Sequence, residues 1–287
     1  MMTVDREQLE TYRARTFRLA RERRVQSKEG ALAFVQERGV IYFWPIKGVL
    51  FPSLWAAVAG NRPVANDHDD PGHVTWGWKD EMLGARQWYY AKVLRGKATM
   101  IALDLVPYFY ALSENYGEPE RDYLQLYEDG LLAREAKMIY EALLREGPLD
   151  TVTMRRVVQM TGRNSDSGFN RGLTQLQRDF KILPVGVAST GGWRYSFIYD
   201  AVHRHYPALP QEARAIARSA ARETLMERYF SAVGMATAAE ARKLFQWRPR
   251  EVSQAVSGLV ERGLLRELAG ATPSKTRYVW HEVTAAG

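Results

Sequence analysis

Arg171, Thr174, Gln175 and Arg178 follow one another at intervals of three, one and three residues. On a helix that spacing gathers all four on one side. Arginine can donate two parallel hydrogen bonds to guanine, and glutamine can exchange two with adenine, so such a side suits the edges of bases in a major groove. Phe169, Leu173, Leu176 and Phe180 are spaced four, three and four, and mark the opposite, apolar side. Arg163 and Asn164 just ahead, and Arg194 just behind, are placed to hold phosphates. A second set of the same chemistry comprises Arg248, Arg250, Ser253, Gln254 and Ser257, with Lys275 and Arg277 following.

Residues for bond-breaking chemistry are fewer. The segment NDHDDPGH brings together Asp67, His68, Asp69, Asp70 and His73, and Asp80 follows nearby. A carboxylate can take a proton from water. Mixed carboxylate and imidazole groups hold a metal only if they converge, which a loop broken by Pro71 and Gly72 does not ensure. His203 and His205 beside Pro207 offer no better set. The chain has no His-Glu-x-x-His, no phosphate-binding glycine loop and no nucleophile elbow. Cysteine is absent, which excludes disulfides and thiolate metal sites. The sequence therefore predicts no metal and no cofactor. The catalytic residue stays unassigned, with Asp67, Asp69, Asp70 and Asp80 as weak candidates.

The elements that must position these residues follow from periodicity. A helix capped by Ser167, or by Asp166, carries the first set. After Lys181 the period changes to two: Leu183, Val185 and Val187 alternate, STGG turns the chain, and Trp193, Tyr195, Phe197 and Tyr199 alternate again, which is a hairpin. Two amphipathic helices precede it, AREAKMIYEALLREG and LDTVTMRRVVQMTG. Three helices and a hairpin make a winged helix-turn-helix. The pattern recurs: EARAIARSAARETLMERYFSAVG is one long helix, TAAEARKLF opens with Thr237 and Glu240 at capping-box spacing, and RPREVSQAVSGLVERG has Pro249 in its first turn. LLRELAG and TRYVWHEV are strands around a small wing. The result is an internal repeat of about 75–80 residues.

The N-terminal part is less regular. REQLETYRARTFRLARERR is expected as one helix, although Arg13, Arg15, Arg18, Arg21, Arg23 and Arg24 cannot all face the same way on it. KEGALAFVQERG is a helix, VIYFWP a strand, residues 53–59 a helix, and NRPVANDHDDPGHVT a polar loop. WKDEMLGARQWYYAKVLRG is expected as a helix, ATMIALDLVP as a strand and YFYALSENYG as a short helix. A third, modified winged helix with an insertion fits this order. The fold expected is thus α+β, mainly helical, with tandem winged helix-turn-helix units: 1–130 modified, 131–209 and 210–287 regular.

The 287 residues are 46% hydrophobic, enough for buried cores, and carry a net charge of +7. The excess is uneven. Residues 1–130 hold 17 Lys and Arg against 18 Asp and Glu, residues 131–209 hold 11 against 7, and residues 210–287 hold 12 against 8. A basic C-terminal half suggests a polyanionic partner. The N-terminus lacks the apolar core of an export signal, and VLFPSLWAAVAG is too short to span a bilayer. A cytoplasmic protein without membrane contact is expected.

EDGLLAREAKMIYEALLREGPLDTVTMRRVV, the junction LTQLQRDFKILPVG and RGLLREL together resemble the AlkZ/YcaQ-type helix-turn-helix DNA glycosylases. The resemblance implies tandem winged helices that cradle duplex DNA on a concave basic surface. It also implies a Gln-x-Asp or Gln-x-Gln motif on a strand after the second N-terminal helix. The matching segment is RGVIYFWPIKG, where Tyr42 and Trp44 stand in place of those residues. Indole accepts no hydrogen bond and tyrosine is a poor base at neutral pH, so the departure removes the expected water-activating groups. The C-terminal barrel of larger family members is expected to be absent. The leading expectation is a non-catalytic binder of double-stranded DNA, active in regulation or damage recognition, with Tyr42 and Trp44 as core or as base-stacking surfaces. The alternatives are a glycosylase acting on alkylated or crosslinked bases with a relocated catalytic group, and a protein-interaction module. Nothing in the sequence fixes the oligomeric state.

Overall fold

Three times along the chain a helix ends in a left-handed glycine and the next residues enter a short strand. The glycines are Gly39, Gly147 and Gly234, with φ of 75°, 85° and 74°. Only glycine adopts this backbone without strain, and each donates its N–H back to the helix it closes. In each case a polar side chain then caps the next helix. Ser53 accepts from the Ala56 N–H, Asp150 from those of Val152 and Thr153, and Thr237 from that of Glu240. The capping box expected at Thr237 and Glu240 is complete in both directions.

The computed structural model describes residues 4–115, 117–191, 194–268 and 276–285. A leading helix, α1 (Arg6–Thr16), precedes the first unit, which holds α2 (Lys28–Arg38), β1 (Val40–Tyr42), α3 (Leu54–Ala59), α4 (Val74–Leu83), β2 (Tyr89–Lys92) and β3 (Ala98–Ile101). Two helices, α5 (Val106–Leu112) and α6 (Asp122–Glu128), lead to the second unit. It holds α7 (Arg134–Glu146), β4 (Leu149–Asp150), α8 (Thr151–Val157), α9 (Asp166–Arg178), β5 (Ile182–Ala188) and β6 (Ser196–Ala201). After α10 (Val202–His205) and α11 (Leu209–Arg214) the third unit holds α12 (Arg218–Val233), β7 (Met235–Thr237), α13 (Ala238–Phe245), α14 (Pro249–Glu261), β8 (Leu265–Leu268) and β9 (Arg277–Trp280), and α15 (Glu282–Ala285) follows. The three sheets share one antiparallel topology: β1-β3-β2, β4-β6-β5 and β7-β9-β8. The fold is α+β, mainly helical, and the first segment has the same element order as the other two, lengthened between α3 and α4 by the loop of residues 60–73.

Several expectations needed correction. WKDEMLGARQWYYAKVLRG is not one helix: α4 stops at Leu83, and Tyr89–Lys92 is the strand β2. The first sheet is covered on both faces. Val40, Tyr42 and Tyr89 enter a core shared with α12 and α14, whereas Ile41, Phe43 and Tyr90 enter one with Phe34, Leu54 and Met82. Both faces being apolar, no alternation of polarity announces the strand. The N-terminal helix ends at Thr16, because Arg18 takes a left-handed φ of 58°, and residues 21–23 form a separate 3-10 turn. The helix expected over residues 212–234 is broken into α11 and α12, with Ala217 extended at the new start. The helix α9 begins one or two residues earlier than expected, with Ser165 rather than Asp166 or Ser167 at its cap. The helix α6 was not anticipated at all.

The units are interlocked rather than strung out. The helix α9 crosses α7 so closely that a Cβ on Gly172 would lie 2.8 Å from the backbone nitrogen of Ala136. Its flank meets the turn of residues 93–97 between β2 and β3, which is the wing of the first unit: Thr174 packs on Gly96, and Lys92 donates its N–H to the Gln177 carboxamide at 3.1 Å. In return the second unit's wing reaches α4, where the Tyr195 hydroxyl meets Lys79 and Asp80. Each of these two units thus lays its wing on the other's third helix. Phe180, fully enclosed, stacks on Tyr89 of β2 at 5.0 Å between ring centres, and burial of such a ring is worth roughly 1.5–3 kcal/mol.

Candidate nucleic-acid interface

The first unit's wing is a 3-10 turn, Leu94–Gly96, in which Arg95 is held at φ 55°. A backbone in the left-handed region costs about 1 kcal/mol or more for a residue with a Cβ, and here it aims a guanidinium into a groove. One wall of the groove is the end of α9 with Arg178 and Asp179. The other is the turn from α13 to α14 with Phe245, Gln246 and Trp247, and the cavity encloses about 350 Å³. A second concavity opens from Arg95 along α13 past Arg242 and Lys243. The wing of the first unit is therefore the floor between a third helix of the second unit and the helix-turn-helix of the third.

Arg95, Arg178, Arg242 and Lys243 bring four positive charges to this place against Glu114 and Asp179. Asp179 is bound to Arg178 at 3.0 Å, and Glu114 lies 3.4 Å from Arg218. Trp247 lines both parts of the groove and stacks on Phe245 at 4.3 Å and 13°. A half-exposed indole fixed in this way offers a flat face beside a cationic track, the pairing that binds nucleic-acid strands. The sequence reading missed Arg95, Arg242, Lys243 and Trp247, because they lie on a wing, a second helix and an interhelical turn rather than on a third helix.

The expected residues divide. Arg163, Asn164, Arg171 and Arg178 are exposed, and Arg171 lies two helical turns from Arg178 on the same side. Arg171 donates to Ser167 on its own helix at 2.7 Å. Gln175 is tied into the protein itself: its amide donates to the Leu131 carbonyl at 2.7 Å and its oxygen accepts the Ala133 N–H at 3.1 Å. Thr174 is half-buried against Gly96. The side of α9 proposed as one reading surface is thus split, since the wing and the segment before α7 occupy its middle.

The third unit keeps its surface. Arg248, Arg250, Ser253, Gln254 and Ser257 are all exposed along α14, next to Trp247, and Arg277 is exposed on β9. Glu251, at the start of α14, is engaged by Arg222 at 2.6 Å. Arg194 is exposed on the second wing, while Lys275 and Trp193 lie outside the described residues.

Tyr42 is fully buried and presents no face to a base. Its ring meets Phe51 edge-on at 5.8 Å, and its hydroxyl has no partner among the described residues. Burial pushes its pKa up to about 12, with the positive charge of Arg95 pulling the other way. Trp44 is half-buried against Phe43 and Trp76, at 5.3 and 5.7 Å. The buried indole N–H of Trp44 is likewise unpartnered.

The acidic candidates do not converge into a metal centre, and no group of three or more ligating side chains occurs among the described residues. Asp67 and Asp69 are exposed on the inserted loop. Asp70 accepts from Arg62 at 2.6 Å and from the Gly72 N–H at 2.8 Å, and these bonds hold its carboxyl below the usual carboxylate range. Asp80 is paired with Lys79 at 2.5 Å and accepts from the Tyr195 hydroxyl at 2.9 Å. Asp70 and Asp80 are therefore structural ties in this structure, which removes two of the four carboxylates from the free pool. No helix among the described residues is long and apolar enough to cross a membrane.

The arrangement has a counterpart among solved structures. The Streptomyces sahachiroi DNA glycosylase AlkZ matches with a TM-score of 0.60 at 13% identity, over 99% of this chain and 72% of that one. This is a likeness of fold. No curated protein matches the chain. The profile of the AlkZ-related family matches residues 25–246, most of the length and all of the first two units. By that match the chain belongs to the AlkZ-related family.

Proposed function

We propose that the protein binds duplex DNA along the groove floored by the first wing, and that it does so without N-glycosidic hydrolysis at Tyr42 and Trp44. The observation that carries this reading is that Arg95 joins two adjoining concavities, one lined by Arg178 of the second unit and the other by Arg242 and Lys243 of the third. Phosphates supply most of the affinity of such a surface, by releasing counterions. Arg171, Arg248 and Arg250 extend the track on either side, and the open face of α14, with Ser253, Gln254 and Ser257, is the surface for base edges. Family membership supports a DNA partner, since the structural relative is named as a DNA glycosylase. The non-catalytic half rests on Tyr42: a buried phenol with a raised pKa neither activates water nor meets a sugar.

Binding of an undamaged duplex, followed by fluorescence anisotropy over a salt series, tests this. The four cations of the groove alone predict a slope of log K against log salt of at least roughly −3 to −4, steeper as Arg171, Arg248 and Arg250 engage. Arg95→Ala and Lys243→Ala should each weaken binding and flatten the slope by about one. Salt-insensitive binding, or none, would sink the proposal.

A glycosylase reading is favoured by a separate observation. Trp76, 36% exposed, heads an aromatic group with Trp44, His73 and Tyr195 beside the loop of Asp67 and Asp69. A base taken out of the stack needs such faces. Abasic sites appearing in alkylated or crosslinked duplex, and lost on Asp67→Asn or Asp69→Asn, would establish it in place of the binder.

A further inference from the structure

A second cationic cavity lies on other elements and shares no lining residue with the DNA groove. It encloses about 410 Å³ between α1, α2, α12 and the end of β9. It forms because α1 is riveted to the C-terminal end of α12. The Tyr12 hydroxyl donates to the Ser231 carbonyl, Thr16 to that of Ala232, and Arg13 to those of Val233 and Met235, at 2.7–2.9 Å. Gly234 permits the approach, since a Cβ there would stand 2.8 Å from the Tyr12 ring. Arg13 is consumed in this joint, and Arg15, Arg18 and Arg23 line the space between α1, α2 and α12.

Arg15, Arg18, Arg23, Arg38 and Arg228 line the cavity, against Glu37, Glu227 and Glu282, an excess of two positive charges. Glu37 is taken by Arg18 and Arg38, and Glu227 by Arg262 from outside the cavity. Among the described residues no carboxylate lies within ion-pairing distance of Arg15, Arg23 or Arg228. Guanidinium forks are donors without acceptor capacity, the complement of a phosphate.

We propose that this cavity is a binding site for a phosphate-class anion, distinct from the DNA groove. The volume accommodates a diphosphate-sized group, supplied either by a free ligand or by the backbone of a nucleic-acid strand. The site does not depend on the DNA reading above.

Titration calorimetry of the full chain with inorganic pyrophosphate at low ionic strength tests it. Saturable one-site binding is expected, weakened about tenfold or more by Arg228→Gln, and unchanged in Arg95→Ala. Thermal melting identifies any variant that fails to fold. Arg15→Gln, on an exposed side chain, then serves as the second variant. Repeating the titration on the DNA-bound protein separates the sources: displacement by duplex assigns the site to a strand phosphate, and simultaneous binding to a free ligand. Absence of saturable binding, affinity unaltered in the Arg228 and Arg15 variants, or equal loss in Arg95→Ala would each overturn the proposal.

Discussion

The Nζ of Lys79 lies 2.7 Å from the hydroxyl oxygen of Tyr195, the first on the third helix of one unit and the second on the wing of the next. The same ammonium pairs with Asp80 and stands 4.4 Å from the centre of the Phe197 ring, with Phe43, Trp76, Tyr90 and Tyr195 around it. Burial lowers the lysine pKa, and Asp80 partly offsets this. A charge enclosed by rings and held by one carboxylate makes the joint between the two units specific.

Removing the hydroxyl should therefore loosen the joint without emptying it. Tyr195→Phe keeps the ring and deletes two charge-assisted hydrogen bonds, and is expected to cost about 1.5–3 kcal/mol in chemical denaturation. A stability change within 0.5 kcal/mol, of the order seen for neutral surface substitutions, would show that the contact carries no weight.

Gln175 and Arg178 lie three residues apart on α9 and should respond in opposite ways. Gln175→Ala leaves the Leu131 carbonyl and the Ala133 N–H without their partner, so stability should fall by about 1–2 kcal/mol while duplex affinity holds. Arg178→Ala should do the reverse, weakening duplex binding several-fold with little effect on the melting temperature. Paired melting and anisotropy measurements decide it, and a loss of affinity in a folded Gln175→Ala protein would return that residue to the reading surface.

The Tyr42 hydroxyl is buried and unmatched. Taking it away relieves a desolvated polar group, so Tyr42→Phe should be neutral or stabilising by up to about 1 kcal/mol. Duplex binding should be unaltered. A drop in affinity, or in any base release, would give this position a direct part in function.

Lys181 links stability to pH. Burial lowers its pKa from 10.5 to about 8, against smaller upward pulls from Asp122, Asp179 and Glu114. Its ammonium donates to the Asn115 carboxamide at 2.5 Å. Because the folded value lies below the unfolded one, the unfolded chain holds more protons at this site between about pH 8 and 10.5. Stability should rise with pH across that window, and the cost below it is about 3 kcal/mol. Buried tyrosines with raised pKa values act oppositely above pH 10, so the comparison is made between wild type and Lys181→Met from pH 7 to 10. The wild type should gain on the variant from pH 8 upward; parallel curves would refute the assignment.

Interactions between near neighbours in the chain set the local units. Capping at Thr237 with Glu240 and the helical spacing of Phe169, Leu173 and Leu176 are of this kind and stand as read. Phe180, expected on the same helical face, lies beyond the end of α9 at a left-handed φ of 54° and packs in the core of Tyr89 instead. The hairpin forms, but its second strand begins at Ser196, so Tyr195 precedes it and Trp193 lies outside the described residues. The family resemblance was also legible, because it rests on the order of those units. Tertiary structure decided which side chains stay open. Gln175 was lost to a backbone clamp 42 and 44 residues away, and Tyr42 to a sheet covered on both faces. Arg95, Arg242 and Lys243 became neighbours only because a wing of the first unit wedges between helices of the other two. Periodicity reports which way a residue faces on its own element, whereas exposure and electrostatic convergence depend on what other elements bring to that face.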